Sequence, residues 1–123
     1  MRSNVAQATP LRSTSNGLKH WWKQRFTAIA MVPLSIWILQ FLIRSHYMKI
    51  PQIMEALKAP YNLVPAMMFT CFGLYHGLLG MEIVIEDYIH CPVTSNTLVI
   101  VLRLVTIATI MAGMFAMVRL LIS

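Results

Sequence analysis

The residues best suited to chemistry are concentrated in one stretch, Leu74-Tyr75-His76-Gly77-Leu78-Leu79-Gly80-Met81-Glu82-Ile83-Val84-Ile85-Glu86-Asp87-Tyr88-Ile89-His90. His76 lies near the middle of an apolar run. At about 100° per residue, Gly73, His76, Gly80, Ile83 and Asp87 fall within roughly 60° of His76 on one helix face. Glycines beside an imidazole remove bulk, so that a flat group or another helix can approach closely. Two chemistries fit this spacing. Gly73-x-x-x-Gly77 is a small-x-x-x-small pattern typical of helix contacts in membranes, with His76 hydrogen-bonding across the contact. Alternatively His76 is an axial haem or metal ligand, because a neutral imidazole costs less to bury than a charge. His20, His46 and His90 fall near the ends of apolar runs. A second ligand at the depth of His76 would therefore come from another chain.

Asp87 is eleven residues beyond His76, about 16 Å along a helix axis. The hydroxyl of Tyr88 can donate to a carbonyl oxygen, and an acid beside it can relay protons. An amphipathic quinone headgroup suits such a pair. The plainer alternative is an interfacial tyrosine next to a solvated aspartate. Glu82 has three options: to stay protonated, to pair with Arg25 or Arg103, or to reach the membrane surface. The two cysteines form no C-x-x-C, so metal-ligand spacing is lacking. Cys71 reads as a small buried hydrophobe and His90-Cys91-Pro92 as a turn.

The elements that must position these groups follow from composition. The chain has 123 residues, 58% of them hydrophobic and 11% charged. A soluble domain of this size cannot hide so much apolar surface, and disorder is excluded on the same ground. Three apolar runs, at about 26–43, 63–85 and 98–122, approach or exceed the ~20 residues a spanning helix needs. No alternating strands of a barrel are present. The fold class is therefore an all-α membrane protein with three transmembrane helices, part of a heteromeric helix bundle. Residues 1–20 read as a flexible basic tail and 21–123 as the membrane domain. The tail's lack of acids also suits a transit peptide, whereas a cleaved signal peptide is excluded by the long polar lead and the missing A-x-A site. The net charge of +6 is scattered at the ends of the apolar runs, with no nucleic-acid-binding motif around it.

Arg2, Arg12, Lys19, Lys23, Arg25 and Arg103 lie on one predicted side, and Arg44, Lys49, Lys58 and Arg119 on the other. The Lys/Arg bias and the cation-rich lead of the first run place the N-terminus inside. The absence of repeats argues against a small transporter.

The run H-x-x-x-G-M-x-x-V-x-x-D-Y, here His76, Gly80, Met81, Val84, Asp87 and Tyr88, resembles the signature of the small hydrophobic membrane anchors of succinate dehydrogenase, respiratory complex II. The layout agrees: a polar lead, Arg25-x-Thr27-Ala28 opening the first helix, three helices, and Asp87-Tyr88 at the exit of the second. Glu82 departs from the pattern, where the family carries a neutral polar residue. The resemblance implies that His76 is an axial ligand of a haem b shared with a larger cytochrome b-type anchor subunit. It implies that Tyr88 hydrogen-bonds ubiquinone with support from Asp87, and that Arg25 sits near a haem propionate. The implied partners are that larger subunit, the iron–sulfur subunit, the flavoprotein subunit and the lipid bilayer. The implied location is a bacterial inner membrane, with a mitochondrial one as the alternative. A purely structural tether and the anchor of a fumarate reductase are the competing functions.

Overall fold

A computed structural model describes residues 10–123, with side chains described from residue 16 onward. Four helices follow one another: α1 (Pro10–Ser45), α2 (Ile50–Lys58), α3 (Pro60–Tyr88) and α4 (Pro92–Ile122). Prolines at the first or second positions of α2, α3 and α4 mark their starts. Proline has no N–H to satisfy there, and its fixed φ suits a first turn. Pro33 and Pro65 lie inside α1 and α3 without interrupting them. Three helices are long and apolar enough to cross a membrane: Asn16–Ser45, Pro60–Tyr88 and Pro92–Ile122.

These helices overrun the apolar runs read from the sequence at nearly every end. The tail expected over residues 1–20 is helical from Pro10 onward; residues 1–9 lie outside the described residues. Extending a helix that is already nucleated adds one hydrogen bond per residue fixed, so polar residues join a neighbouring span readily. α2 has no counterpart among the three apolar runs. It fills the polar connection between the first two spans, and Asn62 fastens it by donating from Nδ2 to the Ala56 carbonyl at 2.8 Å.

Both long partners pack against α3. The α1–α3 pairing is antiparallel, as the contacts Trp37 with Asn62 and Thr27 with His76 require. The α3–α4 pairing is antiparallel too, through Cys71 with Met114 and Glu82 with Arg103. The buried apolar side chains are few, Leu34, Leu63, Leu78 and Leu79. Large apolar residues such as Phe26, Ile29, Val32, Leu104, Ile107 and Phe115 stand exposed on the outer faces. In water this surface would aggregate; against lipid tails or neighbouring helices it is in its proper solvent.

Among the described glycines, the one with the least room for a side chain is Gly113, where α4 meets α3. A Cβ added at Gly113 would sit 3.3 Å from Cγ2 of Thr70, whereas one at Gly17 meets nothing within 4 Å. Gly113→Leu should therefore force α3 and α4 apart and cost about 1–3 kcal/mol, read as earlier thermal loss of the detergent-solubilised assembly. Gly17→Ala should leave that transition in place or raise it slightly.

Candidate functional site

His76 projects toward α1. Its Nδ1 lies 2.9 Å from Oγ1 of Thr27, a side chain that is 3% exposed. Thr27 Oγ1 is also 2.9 Å from the Lys23 carbonyl and 3.0 Å from the Gln24 carbonyl, one turn back in its own helix. The face predicted to carry Gly73, His76 and Gly80 is the face turned to α1. A Cβ at Gly73 would meet the Met31 side chain at 3.5 Å, and one at Gly80 would meet Nε2 of Gln24 at 3.7 Å. Gly77 differs, being exposed and having nothing within 4 Å of an added Cβ. Within this chain Gly73-x-x-x-Gly77 is thus not one contact surface: Gly73 packs on α1 and Gly77 borders open space.

Gly77 belongs to a second stripe of α3. At about 100° per residue, Gly77, Met81, Val84 and Tyr88 fall within about 60° of one another, and all four are exposed. The stripe runs from the depth of His76 to the helix exit. Tyr88 is 79% exposed at that exit, beside exposed Asp87. Twelve residues separate His76 from Tyr88, about 18 Å of helix. The two are joined by a helix face, not by contact.

A groove of about 540 Å³ opens between α1 and α3, lined by His20, Trp21, Gln24, Arg25, Ile83 and Glu86. Its Gln24 and Ile83 are within two turns of the Thr27–His76 pair. The Arg25 guanidinium lies over the Trp21 ring, 4.7 Å from its centroid, a cation–π contact that holds the charge at the rim.

Glu82 takes one of the partners considered from sequence and not the other. It is 5% exposed, and its Oε1 accepts from Nε of Arg103 on α4 at 2.5 Å. Its Oε2 faces Nε2 of His20 on α1 at 3.4 Å. One carboxylate thereby links all three long helices at the end of the bundle that carries Tyr88. Arg25 belongs to the groove and makes no ion pair with Glu82. The His20 contact was missed because His20 precedes the apolar run and reads as tail.

Cys71 is half-buried and its Sγ lies 3.8 Å from Sδ of Met114, as a packed hydrophobe would. Cys91 is exposed at the N-terminal end of α4. Hydrogen bonding with Thr94, then Val93, holds its thiol below the usual range. Among the described residues no three His, Cys, Asp or Glu side chains cluster to hold a metal ion, and His46 and His90 lie beyond the ends of α1 and α3.

Removing Arg103 leaves a buried carboxylate facing α4 without its guanidinium, the costly half of a broken pair. Arg103→Met should destabilise the assembly more than the double change Glu82→Gln with Arg103→Met, by about 1–3 kcal/mol. A thermal or denaturant double-mutant cycle on the purified complex measures the difference.

Comparison with known proteins bears directly on this arrangement. Residues 2–113 match the family described as succinate dehydrogenase/fumarate reductase transmembrane subunit. The succinate dehydrogenase hydrophobic membrane anchor subunit of Rickettsia bellii is 40% identical over 115 residues, covering 94% of this chain and 92% of its own. The corresponding subunit of Rickettsia felis is 38% identical, with 90% of this chain and 92% of its own covered. The succinate dehydrogenase membrane anchor subunit of Reclinomonas americana is 31% identical over 76% of this chain and 81% of its own. No solved structure matches the chain. With its bacterial relatives and three apolar helices, this is a multi-pass bacterial membrane protein. The chain belongs to the succinate dehydrogenase/fumarate reductase transmembrane subunit family, among its hydrophobic membrane anchor subunits.

Proposed function

We propose that this anchor does more than tether a soluble enzyme: His76 would help hold a haem b, and Tyr88 and Asp87 contribute to a ubiquinone site. The observation that carries the haem reading is the imidazole at mid-span, with Nδ1 taken by buried Thr27 and with exposed Gly77 beside it. A nitrogen donor whose other ring nitrogen is held by a hydrogen bond is the usual form of a histidine metal ligand. That donor set fits a haem. A single donor in this chain calls for a partner, a histidine on the larger cytochrome b-type anchor subunit. When bound, the haem supplies a one-electron carrier within the membrane. Arg25, at the groove rim beside Trp21, is the residue of this chain suited to an anionic propionate.

At the bundle end, Tyr88 donates its hydroxyl to a quinone carbonyl oxygen and stabilises charge as it develops there. Asp87 beside it passes protons from the aqueous side. The quinone takes up two electrons and two protons, the electrons delivered from the flavoprotein through the iron–sulfur subunit docked on that face. The apolar stripe Met81–Val84 between Gly77 and Tyr88 offers an isoprenoid tail or a neighbouring helix a matching surface. The N-terminus and the loop after Tyr88 lie on the cytoplasmic side of the inner membrane in this reading, consistent with Lys19, Lys23, Arg25 and Arg103 at that end. The partner subunits' redox potentials, not this chain, set whether succinate oxidation or fumarate reduction prevails.

Two substitutions test the reading against a plain tether. Tyr88→Phe should leave the complex assembled and lower succinate–quinone reductase activity about 10–100-fold, the range for losing one hydrogen bond to a reacting oxygen; unchanged kinetics would remove Tyr88 from the site. His76→Leu should abolish or alter the bis-imidazole haem spectrum of the purified complex. An untouched spectrum would reduce His76 to a packing residue.

A further inference from the structure

Thr27 moves neither electrons nor protons in the reading above, yet among the described residues it is the most buried polar side chain, at 3% exposure. Its oxygen has three polar neighbours: the Lys23 carbonyl at 2.9 Å, the Gln24 carbonyl at 3.0 Å and Nδ1 of His76 at 2.9 Å. A threonine hydroxyl has one proton to give and two lone pairs to offer. The carbonyl oxygens can only accept. Were the proton aimed at His76, the threonine oxygen would face both carbonyl oxygens at about 3 Å with nothing between them but lone pairs. Donation back to the preceding turn is the ordinary geometry of a threonine inside a helix, and it removes that repulsion. The same oxygen is then left as an acceptor toward His76.

From this geometry we infer that Thr27 is a positioning residue: it accepts a hydrogen bond from Nδ1–H of His76, fixes that tautomer, and leaves the lone pair of the ring on Nε2. A neutral imidazole carries one N–H, so a proton held at Nδ1 means a bare Nε2. The ring is turned by the same bond, since Thr27 sits on α1 and the imidazole on α3. Two helices therefore share one histidine: α3 supplies it and α1 sets its protonation and orientation. The consequence at iron rests on the haem reading above; the hydrogen bond itself does not. An acceptor at Nδ1–H makes the ring more electron-rich and favours the ferric state of an iron bound at Nε2.

The test uses the assembled complex in membranes, with nitrogen-15 histidine in this subunit, comparing the natural chain with Thr27→Val and Thr27→Ser. The reduced, diamagnetic complex should show a protonated Nδ1 for His76, identified by its loss in His76→Leu. That signal should move in Thr27→Val and return in Thr27→Ser. The haem midpoint potential should rise in Thr27→Val and return with the serine, which a merely space-filling threonine would not produce. A signal and potential unchanged by Thr27→Val overturn the inference. Should that variant not assemble, the natural complex still decides: a proton found on Nε2 overturns the inference, and one found on Nδ1 in dipolar contact with Thr27 supports it. Persistence of a six-coordinate haem in His76→Leu overturns the ligand reading separately, while the Nδ1 signal of the natural chain continues to judge the tautomer.

Discussion

Polar groups at membrane depth must find partners inside the protein, because hydrocarbon offers none. The architecture of this anchor follows from how three such groups are answered. Thr27 is answered by its own helix and by His76; Glu82 by Arg103 and His20; Asn62 by Trp37 and the carbonyl of Ala56. Among the described residues no buried side-chain nitrogen or oxygen is left without a partner. Apolar packing between these helices gives little preference over packing against lipid tails, so the polar pairs specify the offset between helices. They sit at different depths, near the middle and toward each end, and so fix α1 against α3 at several levels.

That arrangement divides α3 by face. One face turns to α1 and carries His76 with Gly73 and Gly80, where small residues admit the side chains of Met31 and Gln24. Another carries Leu78, Leu79 and Glu82 inward. The remaining stripe, Gly77, Met81, Val84 and Tyr88, stays exposed along the helix. A subunit meant for a larger assembly needs such a stripe, since in a bilayer it can receive a neighbouring helix, a prosthetic group or a lipid-soluble substrate. The thin core of the isolated chain has the same origin: with few residues buried, much of its packing is left to lipid and partners.

The three spans, their order and the places of His76 and Tyr88 along the second were legible in the amino acids, because a run's length is set locally by the thickness of hydrocarbon it must cross. The α1-facing side of α3 was legible as well, since helical periodicity groups Gly73, His76 and Gly80 regardless of tertiary context. The helical start at Pro10 and the short α2 were not legible, because polar segments next to a span carry no periodic signal of their own. Neither was the fate of Gly77, which the small-residue spacing grouped with Gly73 although about 40° of helix rotation separates them.

Thr27 and His20 mark where reading along the chain stops. A threonine in an apolar run is an ordinary residue, and a histidine in a polar lead is another; 49 positions separate Thr27 from its histidine. Which of the polar residues on α1 meets His76 depends on how far two antiparallel helices slide past each other, and a shift of one turn, about 5 Å, would substitute another. The amino acids supply the donors, acceptors and their depth. Their pairing across helices is a property of the packed bundle, because the angle and offset that bring two side chains to 2.9 Å arise only when the helices are in contact.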